Sequence, residues 1–257
     1  MRMTVIGCSG SFPGPQSPAS CYLVQAEDAD GRTWSIVLDL GNGALGVLQR
    51  HLALDALDAV LLSHLHPDHC LDVCGLYVTR KYAPSRGADD GRLPVHGPRG
   101  VERRMAEAYG GGEGSALAGQ LDYREWEARR PVRIGPFTVT PVPVNHPVEA
   151  YGLRVEADGQ VLAYSGDTDS CPELSELFAG ATLVLADSAF VDGRDDTRDI
   201  HLTGSRAAAA AVEAGGVQRL MLTHIPSWND PQVCRAQAAS VWTGEVELAE
   251  PERTYPL

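Results

Sequence analysis

The sequence predicts a mixed α/β (α+β) fold in which two packed β-sheets carry helices on their outer faces. Three observations predict it. The chain opens on consecutive apolar strands, and a strand-rich stretch followed by a mixed one recurs in its second half. Asp158-Gly159 supplies a hairpin turn between two of the later strands. Neither sheet can bury both faces without an outer layer of helices.

Taken in order, strands are expected over Met3 to Cys8, Cys21 to Gln25 and Trp34 to Leu40, then a helix over Gly43 to His51. Ala59 to Leu62 is a short apolar run of the kind that forms a buried strand. Pro67 suits the first turn of a helix spanning Asp68 to Tyr82, because its missing N–H costs nothing there. A helix over Gly100 to Tyr109 precedes strands at Phe137 to Val144, Tyr151 to Glu156 and Val161 to Ser165. Helices Pro172 to Ala179, Thr203 to Ala214 and Pro231 to Val241 then alternate with strands Leu183 to Asp187 and Arg219 to Thr223. Residues 1–257 read as one domain, with a variable cap at about 83–131 that holds the Arg86 to Arg92 loop and the glycine stretch Gly110 to Gly114. No heptads or repeats are present.

Composition narrows the function classes. Hydrophobic residues make up 44% and charged residues 21%, ordinary for a soluble globular enzyme. No apolar run approaches the roughly 18 residues needed to cross a membrane. The start, Met1-Arg2-Met3-Thr4-Val5, reads into a strand without an export pattern, so a cytoplasmic location is expected. The net charge of −13 gives no broad footprint for RNA or DNA. It leaves room for a small anionic substrate, since divalent metals reverse the field locally. The six cysteines show no zinc-knuckle spacing and are expected reduced and packed; Cys70 and Cys74, four apart, would share a face of the predicted helix.

The chemistry concentrates in Ser63-His64-Leu65-His66-Pro67-Asp68-His69. If the chain leaves its strand extended, His64 and His66 project to one side, and Asp68 and His69 start the following helix facing the same space. A helix cap needs one polar residue, not four. Four metal-competent side chains this close can hold two ions, the usual equipment for hydrolysis at neutral pH. Other ligand-type residues follow apolar strands: Asp39, His146, Asp167 and His224. His51 and His96 lie outside every motif and read as surface or helix-end residues.

The order Asp39, His64-x-His66-x-Asp68-His69, His146, Asp167, His224 resembles the metallo-β-lactamase superfamily. The resemblance implies a four-layer αββα sandwich with two metals at one edge. Carried over residue by residue, His64, His66 and His146 would bind the first metal; Asp68, His69 and His224 the second; Asp167 would bridge, and Asp39 would orient the imidazoles. Gly7-Cys8-Ser9-Gly10-Ser11, Tyr151-Gly152-Leu153-Arg154 and His201-Leu202-Thr203-Gly204 look like the ribonuclease Z-like branch, in which a histidine matching His201 assists phosphodiester cleavage. The tRNA-gripping arm of that branch has no counterpart between His146 and Asp167, which disfavours tRNA. Through Ser17-Pro18-Ala19-Ser20, Leu48-Gln49-Arg50-His51, Leu61-Leu62-Ser63-His64-Leu65-His66, Ala163-Tyr164-Ser165-Gly166-Asp167-Thr168 and Leu222-Thr223-His224-Ile225-Pro226, the chain resembles actinobacterial atypical class II cyclic-nucleotide phosphodiesterases over roughly Thr4 to Leu248; those family members act on 3′,5′-cyclic AMP.

The implied enzyme is a dinuclear phosphodiesterase producing a 5′-monophosphate by attack of a metal-bridging hydroxide, with Asp68 and His201 catalytic. Zinc is the expected metal, with manganese or iron as alternatives. Ser9 and Ser11 are candidate phosphate contacts, and Trp228 a candidate base-stacking residue. The resemblance also implies a homodimer and a small-molecule phosphodiester substrate. Alternatives are another hydrolase of the same fold (ribonuclease Z-like nuclease, thioesterase or lactamase) or an inactive metal-binding scaffold; the histidine at 201 separates phosphodiester chemistry from the thioesterase and lactamase readings.

Overall fold

The computed structural model describes residues 1–84, 91–111 and 116–257. The first half of the chain builds one sheet from β1 (Arg2–Gly7), β2 (Cys21–Glu27), β3 (Thr33–Leu38), β4 (Ala59–Leu61), β5 (Leu93–Gly97) and β6 (Leu121–Glu125). The second half builds another from β7 (Val132–Ile134), β8 (Phe137–Pro143), β9 (Tyr151–Ala157), β10 (Gln160–Tyr164), β11 (Leu183–Asp187), β12 (Leu220–Thr223) and β13 (Val246–Leu248). The chain then returns as β14 (Thr254–Pro256) to the edge of the first sheet, beside β1. The orders are β14-β1-β2-β3-β4-β5-β6 and β13-β12-β11-β10-β9-β8-β7. Each sheet is antiparallel on one side and parallel on the other, with β3 to β6 and β10 to β13 forming the parallel halves.

Strand alternation sorts the side chains into layers. In β3, Ile36 and Leu38 face the second sheet and pack with Tyr22, Phe137, Leu153 and Leu185, whereas Val37 faces outward. The outer face of the first sheet is covered by α1 (Ala44–Leu48), α2 (Pro67–Cys70), α3 (Val73–Tyr82) and α4 (Val101–Tyr109), through Leu48, Val73, Leu76 and Met105. The outer face of the second is covered by α5 (Glu173–Phe178), α6 (Gly204–Ala214) and α7 (Pro231–Ala239), through Phe178, Ala207 and Cys234. The result is the expected αββα sandwich.

The strands expected from apolar runs all form. Asp158 and Gly159 both take positive φ, 55° and 72°, as a two-residue hairpin turn between β9 and β10 requires. Three expectations need correction. The helix expected over Asp68 to Tyr82 is two helices. Leu40 causes the break: its N–H takes the His69 carbonyl and its carbonyl takes the Asp72 N–H, both of which a continuous helix would use internally. This leaves Cys70 and Cys74 on different helices. Gly41 permits the close approach, since a Cβ there would lie 1.9 Å from the Asp68 carbonyl oxygen. His96 is a buried residue of β5, not a surface one. Within 83–131, β5 and β6 extend the first sheet; residues 85–90 and 112–115, including parts of the expected loop and glycine stretch, lie outside the described residues. All six cysteines are free thiols, and burial pushes Cys8 up to about 11 and Cys70 up to about 12. No helix among the described residues is long and apolar enough to cross a membrane.

Candidate metal centre and active site

The parallel halves of the two sheets end at one edge, where the carboxyl ends of strands leave backbone and side chains free for a site. Asp39 follows β3, His64 follows β4, Asp167 follows β10, Asp187 ends β11 and His224 follows β12. His146 lies on the loop after β8, and His201 precedes the N-cap of α6, Thr203.

Two four-residue ligand groups form, and Asp167, Asp187 and His201 make a third, smaller cluster. His64, His66, His146 and Asp167 offer donor atoms within 4.8 Å of one another, and so do Asp68, His69, Asp167 and His224. In the first, His66 Nδ1 lies 3.1 Å from His64 Nε2 and 3.2 Å from His146 Nε2. In the second, His69 Nε2 lies 3.4 Å from Asp68 Oδ2 and 3.2 Å from Asp167 Oδ1, and His224 Nε2 lies 3.3 Å from Asp167 Oδ2. Asp167 belongs to both groups, the position expected of a bridging carboxylate.

The surrounding hydrogen bonds decide which ring nitrogens point inward. Asp39 Oδ2 accepts from His69 Nδ1 at 2.7 Å, from Ser63 Oγ at 2.8 Å and from Tyr164 Oη at 2.7 Å. His69 therefore presents Nε2 to the site. The Ile200 carbonyl accepts from His146 Nδ1 at 2.9 Å, with the same consequence. Ser63 Oγ, already donating to Asp39, accepts from His64 Nδ1 at 3.1 Å. Ser20 Oγ lies 3.0 Å from His224 Nδ1. Asp39 thus belongs to neither ligand group but holds His69 from behind and fixes the tautomer of that imidazole.

The donor set fits divalent metal ions. His69 Nε2 and Asp167 Oδ1 are buried and make no hydrogen bond, although buried polar atoms are normally paired. Burial opposes charge on His69, yet Asp167, Asp39 and Asp68 overcome it and hold the imidazole well above its ordinary pKa. Burial likewise opposes ionisation of Asp167, and His224, His69 and His64 pull it well below the carboxylate range. His64 moves the other way: burial, reinforced by His69, pushes it well below its ordinary value. The cluster demands positive charge at its centre, from a proton on His69 or from a cation. Imidazole nitrogen with carboxylate oxygen is a donor set for zinc, manganese or iron.

His201 faces this cluster from the second sheet. Its ring stacks on His224 at 5.4 Å and lies 5.6 Å from His146. Asp187 Oδ2 accepts from His201 Nδ1 at 2.9 Å and also from the Thr168 N–H at 3.2 Å. Burial alone would depress His201, but the Asp187 carboxylate overrides it and raises the pKa to about 9. Asp187 was missed in the sequence. Its one signal is a carboxylate ending the otherwise apolar run Leu183-Val184-Leu185-Ala186. Ser20, Ser63 and Tyr164 were missed too, since nothing in their spacing sets them apart.

Of the expected substrate contacts, Ser9 is buried and bridges Ala19 and Ile225 through its backbone. Ser11 reaches the site through its N–H, 3.3 Å from His224 Nε2. Trp228 is 62% exposed, and its ring lies 5.0 Å from that of Phe12, a partner the sequence did not suggest. Asp39, His224 and Ser11 hold φ of 59°, 56° and 63°, a left-handed conformation that costs non-glycine residues of order 1–3 kcal/mol each and that clusters at functional sites. His51 lies apart, 3.4 Å from Glu252.

Comparison with known proteins identifies the family. Residues 35–225 match the beta-lactamase superfamily domain. An uncharacterized protein of Mycobacterium leprae (ML1173) is 41% identical, with 100% of this chain and 89% of that protein covered. The probable metallo-hydrolase YhfI of Bacillus subtilis is 30% identical, with 97% of both chains covered. Its crystal structure superposes with a TM-score of 0.87 at 27% identity, covering 99% of this chain and 98% of that one. A ribonuclease Z of Mycobacterium bovis is 29% identical, with 96% of this chain and 95% of that protein covered. The chain is a metallo-hydrolase-type member of the metallo-β-lactamase superfamily and belongs to its ribonuclease Z-like branch.

Proposed function

We propose that the protein is a phosphodiesterase that holds two divalent metal ions, zinc in the first place, and hydrolyses a small cyclic nucleotide such as 3′,5′-cyclic AMP to the 5′-monophosphate. One observation carries the reading: the Asp187–His201 pair stands on the same face as the two ligand groups that share Asp167. Bound metals supply Lewis acidity toward the phosphoryl oxygens and lower the pKa of water. The remaining work falls to side chains. Asp68 orients the attacking water and accepts its proton. As the P–O3′ bond breaks, His201 delivers the proton on Nε2 to the leaving oxygen, and Asp187 holds Nδ1 and stabilises the imidazolium. Ser11 offers a backbone N–H to the phosphate, and Trp228 with Phe12 offers a face to the base.

The choice of substrate rests on the resemblance of the sequence, over roughly Thr4 to Leu248, to cyclic-nucleotide phosphodiesterases. The ribonuclease Z relative favours a second reading, a nuclease of that type. Against tRNA stand the net charge of −13 and the interval from His146 to Asp167, which β9, β10 and their two-residue turn nearly fill. We further propose a homodimer.

Metal-loaded protein should be assayed against 3′,5′-cyclic AMP, bis(p-nitrophenyl) phosphate, a precursor tRNA and a thioester. Turnover of cyclic AMP that is lost, together with bound metal, in Asp167→Ala is the expected result. Activity confined to precursor tRNA establishes the nuclease, and activity confined to the thioester overturns both.

A further inference from the structure

A cavity of about 350 Å³ opens beside the first ligand group and shares His66 with it. Leu65 and Val148 give it apolar walls, and Arg99 and Arg104 bring two guanidinium groups to it. Two such groups stand out in a chain with net charge −13. Many other arginines meet carboxylates, among them Arg32 on Asp58, Arg129 on Glu176, Arg154 on Glu156 and Arg219 on Glu247. Arg99 and Arg104 form no ion pair among the described residues. Glu149, the one carboxylate lining the cavity, is otherwise engaged. Its Oε1 accepts from Tyr151 Oη at 2.9 Å and from the Arg99 backbone N–H at 3.3 Å, so it anchors the Arg99 backbone. Arg104 Nε donates to the Leu65 carbonyl at 3.3 Å, which fixes its guanidinium beside the His-x-His run and leaves both terminal nitrogens for a ligand.

We infer that this cavity is a second anion subsite, in which Arg99 and Arg104 bind a phosphate monoester carried by the substrate next to its scissile phosphodiester. Guanidinium groups match phosphate oxygens in pairs, and the apolar walls strengthen such charge-assisted bonds. The inference rests on the phosphodiesterase reading and adds a preference to it: diesters bearing a further phosphate are better substrates than 3′,5′-cyclic AMP, which has none.

A matched pair tests this: thymidine 5′-(p-nitrophenyl phosphate) with and without a 3′-phosphate, which release nitrophenolate from the same bond. Wild-type kcat/KM should favour the 3′-phosphorylated compound by about tenfold or more, the scale of one charge-assisted contact. That ratio should fall toward one in Arg99→Ala and in Arg104→Ala. The Arg99 side chain has no hydrogen bond or ion pair among the described residues, so its variant stands even if Arg104→Ala disturbs Leu65. Calorimetry on metal-loaded protein with ligands that contain no diester gives a readout without turnover: thymidine 3′,5′-bisphosphate should bind more tightly than the 5′-monophosphate, and Arg99→Ala should remove the difference. Cleavage of both compounds at equal kcat/KM overturns the subsite and leaves the phosphodiesterase standing. Cleavage of neither leaves the subsite to calorimetry, where equal affinities overturn it and a preference that Arg99→Ala removes upholds it; the phosphodiesterase falls only if 3′,5′-cyclic AMP is not turned over either.

Discussion

His201 shows how one contact sets a residue's chemistry. Its ring sits in a buried, histidine-rich environment that disfavours charge, and the Asp187 carboxylate at 2.9 Å reverses that preference. With a pKa raised to about 9, the imidazole carries its proton at neutral pH and loses it as pH rises through that value. Activity should therefore fall on the alkaline side, and Asp187→Asn should move that limb of the pH–rate profile down by more than one unit. His201→Ala should keep its bound metal, measured by elemental analysis, while losing about 10²-fold or more in rate. Asp39→Asn should weaken metal binding about 10- to 100-fold without removing a ligand, as a competition titration would show. The sequence exposed the ligands because histidine is scarce and three of eight fall within six residues. It concealed Ser20 and Tyr164, whose partners lie far along the chain, and Asp187, which reads as the end of an apolar strand and meets His201 only when the loop before α6 folds back.

At the scale of elements, legibility followed length and environment. Strands such as β11 and β12 are buried on both faces, so they read as plain apolar runs. β7, β13 and β14 span three residues each, too few for a periodic signal, and β5 is interrupted by Pro94 and His96. The division between α2 and α3 was hidden because Leu40, which causes it, is distant in sequence. β5 also carries a pH liability. His96 is 3% exposed, stacks on Trp126 at 4.9 Å and has no hydrogen bond at Nε2. Burial, with help from Arg124, depresses its pKa from 6.5 to about 4. A depressed histidine favours the folded state fully above pH 6.5 and loses that contribution as pH falls toward 4. His96→Leu should remove up to about 3 kcal/mol of acid sensitivity in that window, read from denaturant melts at successive pH values.

For the whole molecule, the two sheets meet over a continuous apolar core, and the ligand groups close one edge of the seam. That edge gathers four buried carboxylates, Asp39, Asp68, Asp167 and Asp187, with six of the eight histidines. A cation neutralises this cluster only in the folded chain, so metal binding is linked to folding. Chelation should lower the thermal midpoint, with about 4 kcal/mol lost from protein held at a thousand times its metal dissociation constant. Calorimetric scans before and after chelator and after zinc return would check this. The sandwich itself was legible from strand order, whereas the pairing of β14 with β1 joins the chain's ends and leaves no local trace.

Each ligand group draws on both sheets. His64 and His66 come from one half of the chain and His146 and Asp167 from the other. The two groups also differ in when synthesis supplies them. A chain growing from its N-terminus has every residue of the first group once Asp167 has emerged, while the second waits for His224, beyond two further strands. Ribosome-bound intermediates stalled between those points hold every residue of one group and only part of the other, so translation supplies the two groups in sequence.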